Sequence, residues 1–258
     1  MDFYRYLLIF LLFINYNIFS QSLDSNFTLV IDPGHGGKDP GNTGNGYLEK
    51  KIALSIGLKI GDRLKKYKNL KVIYTRKTDI FVDLYRRAKI ANDVEADLFI
   101  SIHCDAHTSN AYGAGTFVLG LHANERNFKI AQKENSVIFL EDDYQQKYAG
   151  FDPNNPESVI SLVLMQEDYL DKSIVAANFI QKSFVNRLKR RDRTVKQAGF
   201  LVLRNTYMPS VLVETGFLTN KIEGSYLNSK KGQNEMADAI SEAIINYFEA
   251  LDLSLIHI

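Results

Sequence analysis

Six short runs of β-branched and other apolar residues recur along the chain: FTLVI (27–31), KVIYT (71–75), LFISI (98–102), GTFVL (115–119), FLVL (200–203) and SVLVE (210–214). Between them, apolar residues return every three or four positions, as in Ile52, Ile56, Ile60 and Leu64, then Leu84, Ala88 and Ala91, then Ala177, Ile180, Phe184 and Leu188, then Met236, Ile240, Ile244 and Tyr247. Strands alternating with amphipathic helices predict an α/β fold: a twisted, largely parallel, six-stranded sheet flanked by helices. With 45% apolar residues in 258, the chain has enough material for one substantial core.

One segment departs from that rhythm. Leu121 to Lys172 is far longer than a compact α/β connection needs, is acidic in its middle (Glu134, Glu141, Asp142, Asp143) and breaks at DPNNP. It restarts with Asn155 as an N-cap, Pro156 at the first helical position and Glu157 in the first turn. A helical insertion, 121–172, is expected here, with a role such as a lid.

The ends read differently from the body. MDFYRYLLIFLLFINYNIFS carries Arg5, an apolar run from Tyr6 to Ile14 and a small residue, Ser20, which together read as a secretory signal peptide over residues 1–20. Export across an inner membrane into the periplasm is the implied destination. The single cysteine, Cys104, cannot form an internal disulfide there. The last six residues, LSLIHI (253–258), resemble a translated sequencing adapter and read as a non-native tail, leaving a single domain of about 27–251 and no role for His257. The net charge of +1 gives no sequence-wide field for nucleic acid or an anionic membrane, and no integral membrane partner is evident. The basic cluster from Arg187 to Lys196 reads as a solvated helix end.

The stretch LVIDPGHGGKDPGN (29–42) runs from an apolar strand into a loop that holds a histidine between glycines. It fits neither common glycine-rich phosphate motif. In an open α/β sheet ligands gather at the carboxyl ends of strands, and His35, His103 and Glu214 each sit at or just beyond such an end. Glu49 falls in the first turn of the helix that follows the glycine loop. His35, Glu49 and His103 are a sound ligand set for one zinc ion, with a fourth position open and Glu214 free as general base. The plainer alternatives are hydrogen-bonded structural histidines and a Glu49 that stabilises a helix N-terminus. Burial of Glu214 at the end of an apolar strand would be costly without a partner or a task. Cys104 should alternate away from His103 and pack, and His107 and His122 carry no role.

VIDPGHGGKDPGN, LEKKIAL (48–54), TRKTD (75–79), SIHCDA (101–106), QAGFLVLRN (197–205) and VLVETGFLTN (211–220) together resemble the zinc-dependent N-acetylmuramoyl-L-alanine amidases of bacterial cell-wall metabolism, in order and spacing, from about Phe27 to Ala250. The resemblance implies zinc ligands at His35, Glu49 and His103, a catalytic carboxylate at Glu214, and hydrolysis of the bond between N-acetylmuramic acid and L-alanine in peptidoglycan during wall remodelling and daughter-cell separation. It also implies that IAQKENSVIFLEDDY (130–144) corresponds to a regulatory helix that an activator protein displaces, with Glu134, Glu141 or another of its acids reaching the zinc at rest, the alternative for each acid being a solvated helix face. The rival functions are a zinc peptidase cutting within the stem peptide and a non-catalytic peptidoglycan-binding module. A binding module has no use for a metal set beside a free Glu214.

Overall fold

The computed structural model describes residues 25–121, 124–159 and 167–256, so the segment read as a signal peptide, His122 and His257 lie outside the described residues. The first strand, β1 (Phe27–Pro33), is followed by a small hairpin of β2 (Thr43–Gly44) and β3 (Tyr47–Leu48) and then by α1 (Glu49–Leu64). Next come β4 (Leu70–Tyr74), α2 (Leu84–Asp93), β5 (Leu98–Asp105) and β6 (Ala114–Leu119). The insertion contributes α3 (Glu125–Asn135), a 3-10 turn (Ser136–Leu140), the single turn α4 (Tyr144–Lys147) and a second 3-10 turn (Pro156–Val159). The chain closes with α5 (Glu167–Asn186), β7 (Asp192–Ala198), α6 (Leu201–Arg204), β8 (Ser210–Phe217), α7 (Lys221–Asn228) and α8 (Lys230–Ile256).

The six main strands lie in the order β4-β1-β5-β8-β6-β7, all pairs parallel except β6 with β8. Alternation along each strand divides the residues between two layers. Leu29, Ile31, Ile100, Ile102, Cys104, Val211 and Val213 face a layer built on α1, α5 and α8, through Ile52, Ile56, Ile180, Phe184, Ile240 and Ile244. Val30, Phe99, Phe117 and Leu212 face a second layer, formed by α2, by the α6 residues Leu201 to Leu203, and by Ala131, Ile138, Tyr148 and Phe151 of the insertion. The insertion is therefore part of that layer. Cys104 is buried on the opposite face from His103, 3.2 Å from Thr215 Oγ1.

Two sequence expectations fail at the β7 edge. FLVL (200–203) is not a strand: Phe200 leads into α6, and its apolar residues are all buried in the second layer. The sixth strand is instead DRTVKQA (192–198), whose polar residues alternate between exposed and partly buried positions as an edge strand requires. For the same reason the basic cluster is not a helix end, because α5 stops at Asn186 and Arg193 and Lys196 lie on β7. Asn155 does cap its turn, accepting from the Glu157 N–H at 2.9 Å. Among the described residues, no helix is long and apolar enough to cross a membrane.

Candidate metal centre

His35 stands just past the end of β1 with φ 60°, the left-handed region, between Gly34 and a run in which Gly36 and Gly37 have φ of 126° and 56°. The glycines on either side make room for the site. A Cβ at Gly34 would lie 2.5 Å from Cε1 of His103, and one at Gly41 would lie 2.5 Å from Cδ2 of His35 and 2.7 Å from Oε2 of Glu49. The hairpin turn at Asn45 and Gly46, both with positive φ, then folds the chain back so that Glu49 opens α1 beneath the loop.

Two buried arginines hold this loop in place. Arg76 donates to the carbonyls of Pro33 (2.9 Å), Gly34 (2.7 Å) and Lys50 (2.8 Å), and Arg87 donates to those of Pro33 (2.9 Å) and His35 (2.9 Å). Arg87 also pairs with the buried Asp32 at 2.7 Å. Asp79 accepts from the Gly37 N–H at 2.8 Å. The TRKTD segment thus holds the loop from outside, a role that its sequence spacing does not show.

Four side chains converge at the carboxyl edge of β1 and β5. One donor atom each from His35, Glu49, His103 and Glu134 lies within 4.8 Å of the others, and all four residues are buried. His35 Nε2 is 3.1 Å from Glu49 Oε2 and 3.1 Å from Glu134 Oε2, and His103 Nδ1 is 3.1 Å from Glu49 Oε1 and 3.1 Å from Glu134 Oε2. The far nitrogens are held from behind: His35 Nδ1 by Asp39 at 2.7 Å, and His103 Nε2 by Ser101 at 3.0 Å, whose hydroxyl donates to Asp32 at 2.6 Å. Such outer partners fix the ring orientation of metal-binding histidines. Glu49 accepts the backbone N–H groups of Asn42 and Cys104, each at 2.7 Å, which fixes its carboxylate. His35 Nε2 and Glu134 Oε2, although close, make no aligned hydrogen bond. Two imidazoles and two carboxylates with inward atoms that aim at a common centre fit a divalent cation of borderline softness.

The electrostatics are those of a cluster that needs a cation. Burial alone would lower His103, but the carboxylates of Glu134 and Glu49 outweigh it and push it up to about 9. His35 is likewise raised well above its usual range against the effect of burial, by Glu49 and Glu134. Burial would raise Glu134, and Glu49 beside it adds to that, yet the two imidazoles bring it down to about 2.

Glu214 stands beside this group without joining it. It is the register partner of His103 on β5 and of Gly115 on β6, and both of its oxygens are buried without a hydrogen bond. Burial, then the charges of Asp105, Glu134 and Glu49, raise it well above the usual carboxylate range. Of the insertion acids, Glu134 reaches the metal group and Glu141 does not. Glu141 accepts instead from the Leu84 N–H at the start of α2 (2.9 Å) and from the Tyr148 hydroxyl (2.8 Å). Asp39, Ser101, Asp32 and Asp105 have no local signature that singles them out.

The model of a family described as N-acetylmuramoyl-L-alanine amidase matches residues 29–246. The chain belongs to that family. AmiA, an N-acetylmuramoyl-L-alanine amidase of Escherichia coli strain K12, is 35% identical over 236 residues, covering 89% of this chain and 78% of AmiA. Among solved structures of the family, an N-acetylmuramoyl-L-alanine amidase from Clostridium difficile 630 superposes with a TM-score of 0.67 at 27% identity, covering 88% of this chain and 99% of that one. The catalytic domain of CwlV from Paenibacillus polymyxa gives 0.65 at 27% identity, with 86% and 98% covered. Amidase membership agrees with the α/β sheet and with the placement of the polar group at its carboxyl edge.

Proposed function

We propose that this amidase hydrolyses the amide between N-acetylmuramic acid and L-alanine of peptidoglycan, with His35, Glu49 and His103 as zinc ligands and Glu214 as the catalytic carboxylate. The observation that carries the proposal is the convergence of those three ligands beside a buried, unpartnered Glu214. A zinc ion held there supplies Lewis-acid chemistry, polarising the lactyl carbonyl and activating water near neutral pH. Glu214 accepts the proton of the attacking water and passes it to the L-alanine nitrogen as the C–N bond breaks. Asp39 and Ser101 keep the two imidazoles turned inward, and the Asn42 and Cys104 N–H groups keep Glu49 from rotating away.

Glu134 lies against His35 and His103, which supports a resting state in which the insertion blocks substrate. Displacement of α3 by an activator protein would withdraw Glu134 and with it one of the charges that raise Glu214. Action in the periplasm, on wall that is remodelled as daughter cells part, fits a chain whose first residues read as a signal peptide.

The test is mass spectrometry of products from purified peptidoglycan, using the zinc-loaded full chain with Glu134→Ala, beside the same chain with Glu214→Gln added. Peptides beginning with L-alanine, abolished by Glu214→Gln, are expected. Products cut within the stem peptide would overturn the assigned bond, and none from folded, zinc-bound protein would overturn the enzyme.

A further inference from the structure

The proposed reaction occupies one flank of Glu214, and the other flank is lined by cations that it does not use. Glu214 lies between His103 on β5 and Gly115 on β6, and residues opposite each other in a ladder project to the same face. Gly115 therefore leaves a vacancy beside the Glu214 carboxyl. The Lys196 ammonium fills it: a Cβ at position 115 would lie 3.2 Å from Nζ. Lys196 and Arg193 both rise from β7, with their charges 4.9 Å from the Phe117 ring centre and 5.0 Å from that of Phe217. Arg126 reaches the same recess from α3, and Asp105 and Glu214 complete its lining.

No carboxylate pairs with these cations among the described residues. Lys196 donates to the carbonyl of Arg193 and Arg193 to that of Tyr112 at 3.4 Å, and among the described residues no salt bridge reaches Lys196, Arg193 or Arg126. The carboxyls that line the recess, Asp105 and Glu214, make no salt bridge with any of the three among the described residues. Burial, then the charges of Arg193 and Arg126, depress Lys196 to about 8. Like charges gathered in a low-dielectric recess disfavour one another, and a ligand anion would relieve that. The recess itself has room for about 10 Å³, one water. It shares Asp105, Arg126 and Ile130 with a cleft of about 370 Å³, and Arg126 and Ile130 belong to α3, the element whose displacement is proposed above.

The direction of the substrate follows from the amidase reading, on which this inference rests. With the carbonyl at the His35–Glu49–His103 group and Glu214 delivering a proton to the amide nitrogen, the departing peptide runs past Glu214 toward β6 and β7. We infer that Lys196 and Arg193 form a subsite for a free carboxylate on the peptide that leaves with L-alanine, and that the amidase prefers peptides that keep this carboxylate over those in which it is a carboxamide.

Calorimetric binding of L-alanyl-γ-D-glutamyl-L-lysine amide, with the glutamyl α-carboxylate either free or converted to carboxamide, tests this on the full-length Glu134→Ala chain. The acid should bind at least about tenfold more tightly than the carboxamide, as expected for charge-assisted bonds in a partly buried site. Adding Lys196→Met and Arg193→Met should bring the acid down to the affinity of the carboxamide and leave the carboxamide unchanged, and Lys196→Arg should keep the preference. Equal affinities, absent binding, or a preference that survives the double substitution would each overturn the subsite. The acid–carboxamide comparison needs no β7 variant, so it stands even if the double variant fails to fold. Peptidoglycan hydrolysis by the same preparations reports on the amidase reading separately: selective binding without release of L-alanyl peptides would refute that reaction and leave the carboxylate subsite standing.

Discussion

The insertion is fastened at the metal group by Glu134, at the β7–α6 segment by Asn127 and Asn135, and at the start of α2 by Glu141. At α2, Glu141 accepts from the Leu84 N–H at 2.9 Å and from the Tyr148 hydroxyl at 2.8 Å, and that hydroxyl accepts from the Tyr85 N–H at 3.0 Å. Asp83, the N-cap of α2, makes no capping hydrogen bond with its side chain, so the insertion supplies the cap that the helix lacks. Lys147 adds an ion pair to Asp83 at 2.8 Å. Glu141→Ala removes an acceptor shared by a helix N-terminal N–H and a buried phenol. Orphaning these two donors costs about 1 to 3 kcal/mol each while the insertion stays seated, and opening it to water recovers much of that. A net shift of about 3 kcal/mol toward the open form is an increase of about 100-fold in the opening constant. Hydrogen exchange reads it: the amides of α3 should exchange faster by roughly that factor, while those of β5, buried along its whole length, should not change. Acceleration below about threefold in α3, or equal acceleration in β5, would refute the Glu141 fastening. Its pH dependence has a definite sign. Burial raises Glu141, so its protonated form is favoured in the seated insertion, and that contribution is present at low pH and lost as pH rises through the raised value.

Three further outcomes are expected. In the metal-free protein His103 is raised from 6.5 to about 9, so its contribution to stability is complete below about 6.5 and lost as pH rises toward 9; Tm should fall across that window, and saturating zinc should abolish the fall and release about two protons on binding at neutral pH, seen by calorimetry in buffers of different ionisation enthalpy. Arg87→Met leaves the fully buried Asp32 without its ion pair and the His35 carbonyl without the Arg87 donor, and should cost about 3 to 5 kcal/mol in denaturant unfolding; a loss under about 1 kcal/mol would show that the pair is dispensable. Gly34→Ala drives a Cβ to within 2.5 Å of the His103 ring, and should weaken zinc affinity at least about tenfold, measured by competition with a chelator; unchanged affinity would remove the close approach from the account.

What the sequence determined on its own is the set of features written in contiguous residues. Strands such as LFISI and SVLVE are buried on both faces and so are mostly apolar, and a glycine loop that leaves such a strand leads to its carboxyl end, where His35, His103 and Glu214 are found. Glu49 was legible because the helix that it opens is strongly periodic. The tertiary structure decided whatever depends on partners far away in the chain. DRTVKQA became a strand because an edge needs pairing on one side only, and so carries little apolar signal, while FLVL became a helix because the second layer offered it burial without a free strand edge. Glu134 and Glu141 look alike in sequence, two acids on one polar segment, and were separated by what lies beneath them: two imidazoles in one case, a helix N-terminus in the other. Lys196 reads as one charge in a solvated cluster until β7 pairs with β6 and sets its ammonium over Gly115, beside Glu214. Burial pattern is a local property of a sequence, whereas the partner of a charge is fixed only when distant segments pack.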